Sequence, residues 1–239
     1  MMPALWVSKT GLEAQDLALT TVSNNLANVS TTGFKKDRAV FEDLLYQVQR
    51  QPGANSSADT RLPSGLQLGT GVRTAGTQKI FTTGSLELTD QPLDMAINGR
   101  GFFQITMPDG TINYTRDGTF HINNEGVVVN VNGYPLEPQI TIPEQTNNLT
   151  ISKDGIVQAT MFGDPTPQEL GQIETADFIN PAGLMATGGN LFQETAASGA
   201  PVVGVPSEDG FGTLEQGALE NSNVEVVEEL VKMITVLSR

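Results

Sequence analysis

Five carboxylates and a single histidine are the groups in this sequence most able to do acid–base chemistry. Asp94, Asp109, Asp117, Glu125 and Asp154 could supply a pair of the kind that hydrolyses glycosides, one acid protonating a leaving group while the other attacks or activates water. Four of the five stand in Asp109-Gly110, Asp117-Gly118, Asn124-Glu125-Gly126 and Asp154-Gly155, where turn formation alone accounts for the residue type. His121 lies between Phe120 and Ile122 in an alternating stretch and reads as an outward strand position. There is no Gly-x-Ser-x-Gly elbow, no phosphate-binding glycine loop ending in Lys, and no calcium loop. Gly99-Arg100-Gly101 lacks the third glycine and the following helix of a dinucleotide site. With no cysteine, disulfides, thiol chemistry and cysteine metal sites are excluded. The reading is of a protein that is not an enzyme and carries no cofactor or metal. A carbohydrate-binding or hydrolytic β domain is the alternative from a different class.

The elements these residues sit on carry more information. The 239 residues hold 27 acidic against 13 basic side chains, a net charge of −14, which argues against nucleic-acid binding and against insertion into anionic lipid. No apolar run reaches transmembrane length, and Ala4-Leu5-Trp6-Val7 is too short for a secretory signal.

Leu5, Leu12, Leu19 and Leu26 recur every seven residues, and Val22 and Val29 follow the last two. That is one apolar seam on a long helix, beside a row of small residues at Ala4, Gly11 and Ala18. Pro3 suits a first helical turn, and Gly33 offers the left-handed turn that ends it. Such a helix is marginal alone in water, so partners must cover the seam. At the other end, Val224, Val227, Val231 and Ile234 form one seam, and Val226, Leu230, Met233 and Leu237 form a second. Two seams call for neighbours on two sides: the first helix on one, another subunit on the other. Asn221, Ser222 or Asn223 is placed to cap this helix.

Between the helices, Val40, Phe41, Leu44 and Leu45 have the spacing of a helical turn or two, and residues 47–65 lose periodicity. From Gly69 to about Leu214 short alternating runs are punctuated by Asx-Gly turns, which predicts antiparallel strands. The expected fold is therefore α+β, with N- and C-terminal helices pairing in a coiled-coil-like helical domain around an inserted, mainly antiparallel β domain. The expected divisions are residues 1–34 for the first helix, 35–68 for an extension and long loop, 69–214 for the β domain and 215–239 for the last helix.

The stretch from Asn24 to Lys35, Asn-Asn-Leu-Ala-Asn-Val-Ser-Thr-Thr-Gly-Phe-Lys, resembles the N-terminal signature of the rod and hook axial proteins of the bacterial flagellum. Its matching positions include Asn24, Asn25, Asn28, Gly33 and Phe34. Residues 92–103, 114–120 and 216–224 resemble three further motifs of that family, so the resemblance spans nearly the whole chain. The polar residues after Tyr46 and the overall length are most similar to the distal-rod branch, with a proximal rod or hook subunit as the alternative. The family's C-terminal helix continues beyond the point where Met233 to Arg239 closes this sequence, and that continuation would extend an inner helical tube.

The resemblance implies a structural subunit that polymerises helically into a periplasm-spanning shaft of the basal body and carries motor torque to the hook. It implies further copies of the chain, proximal rod, hook or hook-base proteins, P and L ring proteins and the flagellar type III export apparatus as partners. It also implies export without a cleaved signal peptide. A straight shaft needs its surface segments ordered, so residues 47–65 are expected to brace neighbouring subunits. Pro52 and Pro63 lower the entropy cost of ordering, and Arg50 and Arg61 can pair with acidic neighbours.

Overall fold

The computed structural model describes residues 3–51 and 64–238. Two helices and many short antiparallel strands make it an α+β chain, and it divides into two compact units. Unit 1 draws on residues 1–27, 37–79 and 226–239, and unit 2 on residues 28–36 and 80–225.

In unit 1, helix α1 runs Pro3–Ala27 and helix α2 runs Val226–Leu237. Two antiparallel ribbons accompany them. Strand β1 (Asp37–Asp43) pairs with β4 (Val72–Lys79), placing Asp37 opposite Lys79, and β2 (Tyr46–Arg50) pairs with β3 (Leu66–Gly69). The helical spacing of Val40, Phe41, Leu44 and Leu45 is therefore misleading. A register shift between Val40 and Phe41 puts a bulge in β1, which breaks strict alternation and leaves apolar residues three and four apart. Among the described residues of 35–68, expected as an extension and loop, lie β1, β2 and most of β3. Arg50 ends β2, whereas Pro52, Arg61 and Pro63 lie outside the described residues.

The last helix also starts later than its sequence motif. Thr213–Gln216 pairs with Met95–Asn98, and Ala218–Glu220 with Leu86–Leu88, so the chain is held extended up to Glu220. Asn223, one of the expected caps, ties together two extended segments instead. Its Oδ1 accepts the Lys36 N–H at 2.8 Å, and its Nδ2 donates to the carbonyls of Ile80 and Thr82 at 2.8 and 3.2 Å.

Unit 2 is built on a seven-stranded sheet. Its order runs Met185–Gly188, Leu191–Gln193, Ile112–Thr115, Phe102–Thr106, Thr175–Asp177 and Val202–Gly204, with Leu136–Glu137 joining Phe102–Thr106. A three-stranded sheet follows from Thr146–Ile151, Ile156–Met161 and Asp164–Gln172. Alternating residues from these strands make one core around Phe103, Ile105, Phe120, Leu136 and Leu214, all at most 1% exposed. A second core stacks Phe102, Tyr114, Phe178 and Phe192 edge to face, the arrangement aromatic quadrupoles favour. Among the described residues no helix is long and apolar enough to cross a membrane.

Candidate assembly surfaces

The inward stripe of α1 is not its leucine seam. Thr10, Thr21, Val22 and Asn25 are its buried residues, a mostly polar line at roughly helical spacing. The Thr10 hydroxyl lies so close to Gly71 that a Cβ there would meet it at 2.4 Å, which explains the glycine where β4 begins. Leu5 and Leu12 are 68% and 67% exposed, Leu19, Leu26 and Val29 are half-buried, and Val22 alone of the six seam residues is buried.

Helix α2 repeats the pattern. The one residue it buries is Glu229, and Met233 and Val236 continue that stripe half-buried. Val227, Leu230, Val231 and Ile234 are 75%, 41%, 56% and 65% exposed. Val224 falls before the helix and is buried in unit 2. Helices α1 and α2 pack against each other, yet most of their apolar surface stays in water. Large apolar faces left open in this way mark sites of association.

The ribbon of β2 and β3 adds to this surface, because Tyr46, Val48, Leu66 and Leu68 are all about half exposed. A two-stranded ribbon with both faces in water has little stability of its own.

Among the motif residues, Asn25 closes a ring of polar contacts within unit 1. Its Oδ1 accepts the Asp37 N–H at 2.9 Å, while its Nδ2 donates to the Asp37 carbonyl at 2.9 Å and to Glu229 Oε2 at 3.2 Å. Asn24 is exposed, and Asn28 starts the turn that Thr31 closes by donating its N–H to the Asn28 carbonyl. Gly33 has φ +68°, and a Cβ there would lie 2.6 Å from the Asp117 nitrogen, so both conformation and space require glycine. The Phe34 carbonyl accepts the Asn223 N–H.

The motifs converge in unit 2 on buried charges that no spacing in the sequence reveals. Lys35 Nζ donates to Glu220 Oε1 at 2.5 Å and to the Thr82 carbonyl at 2.8 Å. Arg116 binds Glu220 Oε2 at 3.4 Å and the carbonyls of Ile97 and Gly99 at 3.1 and 2.6 Å. Its guanidinium lies over the Phe102 ring, 5.2 Å from the centroid. All three side chains are almost wholly buried. Desolvation pushes both Lys35 and Arg116 below their ordinary values, against the pull of Glu220. The available signal is indirect: Lys35, Arg116 and Glu220 each sit inside a motif segment.

The acid–base candidates do not assemble into a site. Asp109 is held below the ordinary carboxylate range by the Thr111 hydroxyl and N–H, a turn contact. Asp117 accepts the Thr119 N–H at 3.1 Å, and Asp94 accepts the Thr89 hydroxyl at 2.6 Å. His121 is exposed on its strand. No group of three or more metal-ligating side chains exists among the described residues.

Residues 5–35 match a family described as flagella basal body rod protein, residues 96–159 the flagellar hook protein FlgE/F/G D1 domain, and residues 215–237 the flagellar basal body rod FlgEFG protein C-terminal region. The flagellar basal-body rod protein FlgG of Buchnera aphidicola subsp. Schizaphis graminum is 55% identical over 234 residues, covering 98% of this chain and 90% of that protein. FlgG of Borreliella burgdorferi is 49% identical over 236 residues, covering 98% and 89%. The flagellar hook protein FlgE of Helicobacter pylori is 37% identical over 157 residues, 65% of this chain but 22% of the hook protein. Full-length similarity to rod proteins, with only partial similarity to a hook protein, favours a structural rod subunit over a hook subunit or an enzyme. The chain belongs to the flagellar basal-body rod protein family.

Proposed function

We propose that this chain is the subunit of the distal rod, polymerising helically into a periplasm-spanning shaft that carries motor torque to the hook. The observation that supports it is the pair of open apolar faces, Leu5 and Leu12 on α1 and Val227, Val231 and Ile234 on α2. Coiled-coil-like pairing with neighbouring copies would cover both, with Leu19, Leu26, Val29 and Leu230 completing the seams. Val22 and Val224, the remaining residues of the two expected seams, are already buried in the single chain. Proximal rod, hook or hook-base proteins meet the ends of such a shaft, and P and L ring proteins surround it. Delivery through the flagellar type III export apparatus fits a subunit that folds where it assembles.

The β2–β3 ribbon has a part in this reading. Arg50 and the stretch bearing Pro52, Arg61 and Pro63 brace adjacent subunits, so that an otherwise unsupported ribbon gains neighbours in the polymer.

Leu12→Asp tests the proposal in a strain lacking its own distal rod gene. Leu12 is already in water in the single chain, so the variant folds normally, but a charge in the closed interface is expensive. The expected result is loss of motility and basal bodies without a distal rod, while the unmodified chain restores both. Motility equal to that of the unmodified chain would remove the helices from the assembly surface.

A further inference from the structure

Helix α2 is apolar over more than half of its circumference. Val226, Val227, Leu230, Val231, Met233, Ile234, Val236 and Leu237 make one broad face, opposite Glu228, Lys232 and Thr235, and Glu229 alone brings charge into it. Apolar contact alone therefore cannot decide which face of α2 docks on α1. The buried residues of α1 are hardly more discriminating, since Thr10, Thr21 and Asn25 are polar and Val22 is the one buried apolar residue among them. Met233, the middle residue of the docked stripe, adapts to many surroundings. A rotation of α2, or a slide by one turn of about 5.4 Å, would exchange one apolar contact for another at little cost.

The one fully buried residue of α2 is nonetheless a glutamate, 1% exposed. Glu229 Oε2 accepts from Asn25 Nδ2, and Oε1 accepts from Lys232 Nζ at 2.8 Å, whose stem reaches out to water. Asn25, also 1% exposed, cannot move to follow a displaced helix, because its amide is fastened to both backbone groups of Asp37 at the start of β1. Any other face or register of α2 would strand a buried carboxylate and lose an Asn25 hydrogen bond.

We propose that Asn25 and Glu229 act as a register pin, a buried polar contact that selects one rotation and one longitudinal setting of α2 against α1. By doing so it determines which apolar residues remain outward for the next copy of the chain, so it deepens the assembly reading. Buried polar contacts are known to specify helix register at some cost in stability. An apolar residue at position 229 would keep the helices docked and lose the selection.

The pin is tested on the full chain, independently of polymerisation. Because the chain has no cysteine, Ser23→Cys and Thr235→Cys, both at exposed positions, accept one spin label on each helix without background. Pulsed electron resonance then reads the distribution of distances between α1 and α2. A single narrow distance is expected in the parent and in Glu229→Gln, which keeps an acceptor for Asn25. Glu229→Met is expected to remain helical and docked but to show a broadened distribution, or a second distance displaced by up to about one helical turn. A Glu229→Met distribution as narrow and as placed as that of the parent would overturn the pin, as would a broad distribution in the parent itself. Failure of the pin leaves the Leu12→Asp outcome unaffected, so the two proposals fail separately.

Discussion

The two units differ most in where they put charge and where they put apolar surface. Unit 1 carries eight acidic and eight basic residues, so it is neutral, whereas unit 2 carries nineteen acidic against five basic. The entire −14 of the chain therefore belongs to unit 2, and two of its five cations, Lys35 and Arg116, are buried. Unit 2 leaves single large side chains such as Phe162 and Ile179 in water but gathers most of the others into two continuous cores, whereas unit 1 leaves Leu5, Trp6, Leu12, Val227 and Ile234, along its two helices, more than half in water. On the proposed assembly, a neutral unit with open apolar helix faces suits close contact between copies, and an acidic unit opposes it.

Breaking unit 2 from inside should have the largest effect. Glu220 is the carboxylate facing both Lys35 and Arg116, and it also accepts the Gly84 N–H at 2.8 Å. Glu220→Ala strands two buried cations and is expected to cost unit 2 about 3–5 kcal/mol. Urea unfolding followed by near-ultraviolet circular dichroism would read this, because the aromatic rings of the second core lie in unit 2. A cost near zero would mean that the charges are not what fastens residues 28–36 to the strand ending at Glu220.

Salt sharpens the contrast next. If copies attract through neutral unit 1 and repel through unit 2, raising ionic strength from 10 to 150 mM, which shortens the screening length from about 30 to about 8 Å, should promote polymerisation. Light scattering across that range would show it. A polymer that dissolves as salt rises would instead place attractive ion pairs at the contacts.

A smaller effect concerns Tyr114, whose hydroxyl burial pushes up to about 12, with Glu194 adding to the shift. A phenol with a raised folded-state value favours folding below its ordinary value near 10 and loses that contribution as pH climbs toward 12. Unit 2 should therefore weaken between pH 10 and about 12, and Tyr114→Phe should flatten that slope. Equal slopes in both proteins would assign the alkaline loss to other groups.

Much of this contrast is legible in the sequence, but unevenly. The long first helix is readable from Leu5 to Leu26 because a seven-residue repeat persists over many turns. Turns such as Asn123 to Gly126 are readable because their chemistry is local. Which face of each helix points inward is not, since the apolar face of α2 is broad and its buried residue is Glu229. The Lys35–Glu220 contact joins residues 185 apart, and single charges carry no period to betray it. β1 escapes because its bulge scrambles the alternation that identifies a strand. The charge balance between units is present in the composition, yet it appears only when the discontinuous segments of unit 1 are brought together.

Amide hydrogen exchange compared between single chain and polymer tests the division of labour most directly. Assembly is expected to slow exchange across α1 and α2, above all around Leu12 and from Glu229 to Leu237. The strands carrying Phe103, Ile105 and Leu136 should be strongly protected in both forms and change little. Helices already as protected in the single chain as that core, or a gain on assembly confined to unit 2, would contradict the account.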